Sequence, residues 1–343
     1  MAEKLKRTIL LIVKYIGLFH VAKFFYRKRI RILCYHGFSL RNEEQFAPGL
    51  FIKPEILDQR MQFLRDKGFN VITLDEAYEA VSSNNIADNS VVITIDDGFY
   101  STYLKALPIF KRYNLPVTLY LTSYYFDKMC PIYPLAVDYM FWNTSKKQVN
   151  LANLGYEELE NYTNVITHAD DTVIYSEEVF ELGLKMENNE QRIDLLRKLG
   201  EELDQDYDAL NESRILNLID KKELKECIDS GMDIELHTHR HRFPKESIIA
   251  EQELVDNKKQ INPYLEKPMS HFCYPSGIWV KELWPVLDNQ DIKTSTTCDN
   301  GLITTKTPYH AWSRFLDSAR ISQLNFEAEL YGFNEFTRKI RGK

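Results

Sequence analysis

Ile234–His241, "IELHTHRH", holds three of the chain's eight histidines at alternate positions. As a strand, it would put His237, His239 and His241 on one face, because strand side chains repeat every two residues. Three imidazoles on one face could hold a zinc ion. As a strand end running into a loop, it would bring His237 and His241 together and send His239 elsewhere, leaving a third ligand to come from another segment. A solvated His-rich turn has the same local composition. Asp96-Asp97-Gly98 in "TIDDG" offers the missing carboxylate. Asp97 can complete a His, His, Asp set with open positions for water and substrate, which marks a catalytic rather than a structural metal. Asp96 can then act as general base. Adjacent aspartates on a straight strand point to opposite faces, so this requires the backbone to turn near Gly98. On its own, Asp-Asp-Gly reads first as a turn. A third polar cluster, "YPSG", spans Tyr274–Gly277.

These clusters lie where predicted strands end. "RILCY", "NSVVITIDD", "LPVTLYL", "MDIELH", "SHFCYP" and "IKTSTT" read as strands. "KPEILDQRMQFLRDKGF" reads as a helix, with Pro54 in its first turn and Gly68 as its stop. "FNVITL" is strand-like. "TYLKALPIFKRYN", "KKELKECIDSG", "IIAEQELVDNKKQINPYL" and "KELWPVLDN" read as helices between the strands. Alternation at this spacing predicts βαβ units and a parallel sheet, in which the C-terminal strand ends share a face and build the active site. The rhythm breaks over residues 124–219, a polar, Asn-rich and acidic stretch with helical patches. It is too long for a plain loop. The expectation is a helical insertion beside the active-site mouth, with Tyr124, Tyr125 and Trp142 as candidate sugar-stacking side chains.

At 343 residues the chain can bury a large core, and its 44% hydrophobic and 27% charged content excludes disorder. A net charge of −7 argues against a nucleic-acid binder. Five scattered cysteines form no CxxC pair and no disulfide framework, which favours a reducing compartment. Residues 1–30 are different: basic, apolar and interrupted by Lys14, His20 and Lys23. The run is short for a span and lacks a small-residue cleavage site. It predicts one amphipathic helix on an anionic membrane surface, with an ordinary helix packed on the domain as the alternative.

The clusters taken together resemble the polysaccharide deacetylases, carbohydrate esterase family four. "TIDDG" is similar to that family's T-F-D-D-G, and His237-Thr238-His239-Arg240-His241 to its H-[S/T]-x-x-H. "FCYPSG" resembles the F-A-Y-P-Y-G of a divergent branch, and "ILCYHGF" and "GFNVITLDEA" resemble that branch's opening strands. The likeness runs over residues 31–123 and resumes over 220–315. It implies a distorted (β/α)7 barrel at 31–123 and 220–320, with the large helical insertion at 124–219 and a tail or helix at 321–343. It implies Asp96 as base and Asp97, His237 and His241 as ligands to a divalent metal, zinc foremost. The implied reaction removes acetyl from an N-acetylated saccharide, with the oxyanion met by the metal and a main-chain N–H at Ser276. His239 becomes a bystander.

The sequence also departs from the family. The arginine that orients the base is absent, and Cys273 stands near its place; Arg314 in "AWSRF" is a candidate substitute. The motif carrying the acid histidine has no match, which leaves His36 and His310 as candidates, His36 the better placed at a strand end. The expected function is a metal-dependent N-deacetylase acting on a cell-surface polysaccharide or its lipid-linked precursor. The alternatives are a catalytically weak glycan-binding member of an assembly complex and a hydrolase of a non-sugar amide. The expected location is the cytoplasm at the membrane face, the alternative an exported domain on an uncleaved anchor.

Overall fold

The structure, a computed structural model, describes residues 2–169, 172–175 and 177–340. Seven parallel strands form its frame: β1 (Arg31–Tyr35), β2 (Ser90–Asp97), β3 (Thr118–Leu121), β4 (Asp233–Leu236), β5 (His271–Cys273), β6 (Thr294–Thr296) and β7 (Phe315–Leu316). Their order across the sheet is β6-β5-β4-β3-β2-β1-β7. All six neighbouring pairs are parallel. The sheet curls into a half-barrel with helices around it, the distorted (β/α)7 architecture. β2 is buried along all eight residues, as a strand covered on both faces must be, and its Val-Val-Ile-Thr-Ile run supplies the apolar surface.

Two N-terminal helices, α1 (Ala2–Tyr15) and α2 (Leu18–Phe25), replace the single one expected. Gly17, at φ +81°, lets the chain bend by 78° between them. After β1 come α3 (Pro54–Asp66), with Pro54 in its first turn, and α4 (Leu74–Ser82). Only Asn70–Val71 of "FNVITL" is a strand. Thr73 there forms a capping box with Glu76 and starts α4 at Leu74.

The insertion carries α5 (Tyr133–Asn143) and α6 (Asn189–Glu202), with further short helices. It is not wholly helical. Gln148–Asn150 pairs with Thr163–Val165, and Thr167–Ala169 with Thr172–Ile174, both antiparallel. These segments are rich in Thr, Val and Asn, which suit strands and turns better than helices. The insertion shares the barrel's core, which runs from Leu33 and Ile95 through Tyr133, Ala136 and Leu195 without a gap. α7 (Ser247–Ile261) follows β4. The chain ends in two helices, α8 (Gln323–Leu330) and α9 (Phe333–Ile340). Met1, residues 170, 171 and 176 of the insertion and residues 341–343 of the C-terminal segment lie outside the described residues.

Candidate active site

Strand ends position every group that matters. Asp97 closes β2 with φ +68°, and Gly98 follows at +95°. The left-handed residue breaks the strand's alternation at the last position, so Asp96 and Asp97 both line the same cavity. Gly98 cannot be replaced cheaply: at φ +95° any side chain is strained, and a Cβ there would also push on Leu121 Cδ1, 2.3 Å away. The histidine stretch is the strand-end form. β4 stops at Leu236, and Thr238 and His241 adopt φ +65° and +54°. His237 and His241 therefore converge, with ring centroids 4.9 Å apart. His239 turns away, its Nδ1 2.9 Å from Ser123 Oγ and its ring against Tyr124.

Asp97 Oδ1 lies 3.3 Å from His237 Nε2 and 3.3 Å from His241 Nε2. Those separations match the edge, about 3.3 Å, of a tetrahedron whose bonds are about 2.0 Å. The donor set of one carboxylate and two imidazoles suits zinc and its neighbours. His237 Nδ1 sits 2.9 Å from the Cys273 carbonyl. A proton donated there leaves the Nε2 lone pair facing Asp97, as a ligating imidazole requires. Two other groups of possible donors share the cleft, Cys34-His36-Asp96 and Asp96-His237-Cys273. Both need Asp96, whose charge is already paired with the Arg314 guanidinium, and the first needs Cys34, whose thiol burial holds protonated. The Asp97 set therefore fits a metal best.

Asp96 owes its state to Arg314. The guanidinium donates to both carboxylate oxygens, at 2.7 and 2.8 Å, a bidentate pair with both partners buried. Burial opposes the charge on Asp96. Arg314 overcomes it and holds the carboxyl well below the usual range. Arg314 is itself fixed by donating to Thr297 O and Thr94 Oγ1. The Cys273 and Cys34 thiols donate longer contacts, 3.4 and 3.6 Å, to Asp96 Oδ2. For Asp97 burial again opposes the charge, and His241 and His237 overcome it, holding the carboxyl down to about 2.

His36 follows β1 and lines the cavity, its Nε2 3.6 Å from Asp96 Oδ2. His310, the other candidate acid, lies outside the cavity lining. Its Nε2 meets Asp288 at 2.9 Å and its Nδ1 meets Ser295 at 3.0 Å, a structural pairing. Ser276 lines the cavity in a left-handed conformation, φ +55°. Gly277 beside it, at φ +67°, has no room for a Cβ against Cys298.

Sequence reasoning passed over Asn257 and Glu253. Asn257, on α7, accepts from the His237 N–H at 3.1 Å and donates to the Leu121 carbonyl at 3.0 Å, tying the histidine loop to β3. Glu253 accepts from the Arg240 N–H and Arg242 Nε. Both are fully buried polar residues on the helix stripe formed by Ala250, Leu254 and Ile261. Polar residues on an apolar stripe are the signal that could have found them.

The cavity encloses about 680 Å³, and the insertion supplies one wall: Leu135, Asp138, Trp142, Val173 and Tyr175. Trp142 is half-buried, with Phe46 and Tyr139 rings 5.7 and 5.8 Å away. Tyr124 and Tyr125 line a separate cavity with Arg192 and Arg240, so they are not placed to stack a sugar here.

This half-barrel, with its acidic and imidazole groups gathered at the strand ends, defines a class of hydrolase-like (β/α)7 proteins. The family model described as polysaccharide deacetylase matches residues 83–295, more than half of the chain, and the chain belongs to that family. It is similar to YxkH of Bacillus subtilis (strain 168), whose name describes it provisionally as a polysaccharide deacetylase. The two are 28% identical over 94 residues, 27% of this chain. The match spans about a third of that relative's length. Among solved structures, the Streptococcus pyogenes deacetylase PplD, in complex with acetate, is 18% identical at a TM-score of 0.56, over 89% of this chain and 99% of that one. IcaB from Ammonifex degensii is 15% identical at 0.54, over 89% and 97%. At these identities the structural likeness speaks for the fold.

Proposed function

We propose that the protein removes N-acetyl groups from an N-acetylated polysaccharide or its lipid-linked precursor, using a divalent ion, zinc foremost, held by Asp97, His237 and His241. The observation that carries this reading is the convergence of those three donors beside a carboxylate that Arg314 keeps ionised. A bound ion would supply Lewis-acid activation of water and of the amide carbonyl. The chain's own residues do the rest. Asp96 keeps lone pairs beyond those used by Arg314, and it accepts the proton of the attacking water. Arg314 fixes its orientation and leaves it charged at every working pH. The main chain at Ser276 donates to the oxyanion as it develops. His36 delivers a proton to the departing amine. The insertion wall holds the sugar, with Trp142 as its aromatic face.

The test is acetate release from a panel of N-acetylated saccharides, with and without a chelator, for the wild type, His237→Ala and His241→Ala. Release that falls on chelation and in both variants supports the reading. Release indifferent to all three overturns the metal site. Saccharide binding without release from any substrate makes the protein a glycan-binding module.

A further inference from the structure

The two ends of the chain meet on one face of the barrel. α1 and α2 bury Leu10, Phe19 and Ala22 against Ala328, Tyr331 and Leu302. Their outer sides are bare. Of the 23 large apolar side chains exposed among the described residues, 12 lie in residues 5–25 and 336–340. Phe25 is 73% exposed and Ile340 69%. α9 packs beside α2, and an apolar hollow of about 520 Å³ opens between them, walled by Leu18, Val21, Phe25 and Phe336 and rimmed by Arg29 and Lys339. Scattered apolar residues need no explanation, but a contiguous apolar face of this extent does.

Charge says what covers it. Residues 1–29 hold eight Lys and Arg against one acid, Glu3, and residues 333–343 hold four against Glu335; Asp88, Glu327 and Glu329 also pair with cations of this face and leave it with an excess of positive charge. The whole chain is −7, so the cations concentrate where the apolar residues do. A second copy docked about a twofold axis would set this basic rim against itself. An anionic bilayer presents the complementary charge and takes up the apolar side chains. No single helix among the described residues is long and apolar enough to cross a membrane; α1 and α2 together have the length and composition, but the 78° bend at Gly17 divides them.

We propose that α1, α2 and α9 form a single docking face for an anionic lipid bilayer, on which the helices lie in the interface. The C-terminal helix completes a surface that the N-terminal residues alone do not make. The catalytic cleft borders that surface. Arg320 lines the cleft and also the groove beneath α1, whose other walls include Arg7, Leu11 and Lys14. Docking therefore sets the Arg320 edge of the cleft beside the lipid headgroups. The proposal does not depend on the deacetylase reading, because it is read by binding alone.

The full chain is sedimented with phosphatidylcholine vesicles, pure or mixed with phosphatidylglycerol, alongside Ile12→Glu/Phe25→Glu and Phe336→Glu. These side chains are exposed, so the variants keep the wild-type circular dichroism and melting temperature. The expected result is partition onto the mixed vesicles, weaker onto pure phosphatidylcholine by roughly tenfold or more, and lowered by roughly tenfold in each variant. Failure of the wild type to bind the mixed vesicles overturns the proposal. So does binding that neither variant weakens, and so does a dimer in light scattering that the substitutions dissociate.

Discussion

At the carboxylate pair one backbone angle separates two chemistries. Asp96, still in the strand, meets Arg314; Asp97, at φ +68°, meets the two histidines. Substituting them should therefore have different consequences. Asp97→Asn loses metal by elemental analysis. Asp96→Asn keeps it and loses about 10²- to 10⁴-fold in turnover, the usual range for a general base; normal turnover in Asp96→Asn would remove the base assignment. Arg314→Lys isolates orientation from charge. Lysine is a point charge and cannot make the fork, so kcat should fall roughly tenfold to a hundredfold while KM and metal content hold. At this scale much was legible. The types and spacing of Asp96, Asp97, His237 and His241 were enough to gather them. The pairing of Arg314 with Asp96 spans 218 residues, so no local pattern encodes it, and only the family resemblance offered Arg314 for that place. His310 had the right residue type and the wrong surroundings.

Elements hold these residues still. Asn257 on α7 serves two orphaned main-chain groups, the His237 N–H and the Leu121 carbonyl. Asn257→Leu fits the volume and leaves both unpaired, at about 1–3 kcal/mol each. Urea unfolding should show that loss, with metal affinity falling in parallel because the His237 loop is released; an unchanged midpoint would mean the contacts are dispensable. A second tie joins α4 to the sheet. Buried His271 on β5 meets Thr294 through Nδ1 and Asp75 through Nε2, and Lys267 and Lys293 also reach Asp75. The His271 hydrogen bond, aided by the two lysines against burial, holds the Asp75 carboxyl well below its usual range. A lowered folded-state pKa gives stability that is fully present above the unfolded value, about 3.9, and is lost as pH falls from there through the lower folded-state value. Asp75→Asn should cost about 1 kcal/mol at pH 7, a figure reduced because the carboxylate is 37% exposed. It should also flatten the acid limb of a melting-temperature profile; parallel profiles would refute the assignment. Strands and helices of the barrel were readable from apolar runs bounded by Gly, Pro and caps. Thr73 shows where that reading stops, since its capping box ends the apolar run and starts a helix at Leu74. The hairpins of the insertion were hidden for a different reason: their strands are three residues long, too short to show a period.

In the whole molecule the cleft belongs to two parts of the chain. The barrel mouth brings the carboxylate and imidazole groups and the insertion brings the aromatic wall, and one continuous core joins them. That division predicts that chemistry and substrate grip can be separated by substitution. Trp142 stands on the insertion, half-buried against Phe46 and Tyr139, and touches none of the proposed catalytic groups. An aromatic face of this kind contributes about 0.5–1.5 kcal/mol to stacking, and 1.4 kcal/mol is tenfold in affinity. Trp142→Ala should therefore raise KM for an N-acetylated oligosaccharide several-fold, up to about tenfold, with kcat and metal content unchanged. A single N-acetylated sugar, which fills less of the cavity than an oligosaccharide, should show a smaller change. Trp142→Phe keeps an aromatic surface and should recover most of the lost affinity. Steady-state kinetics on the two substrates decides it. An equal loss on both, or a fall in kcat alone, would place Trp142 in the packing of the insertion and leave the sugar without an aromatic platform there.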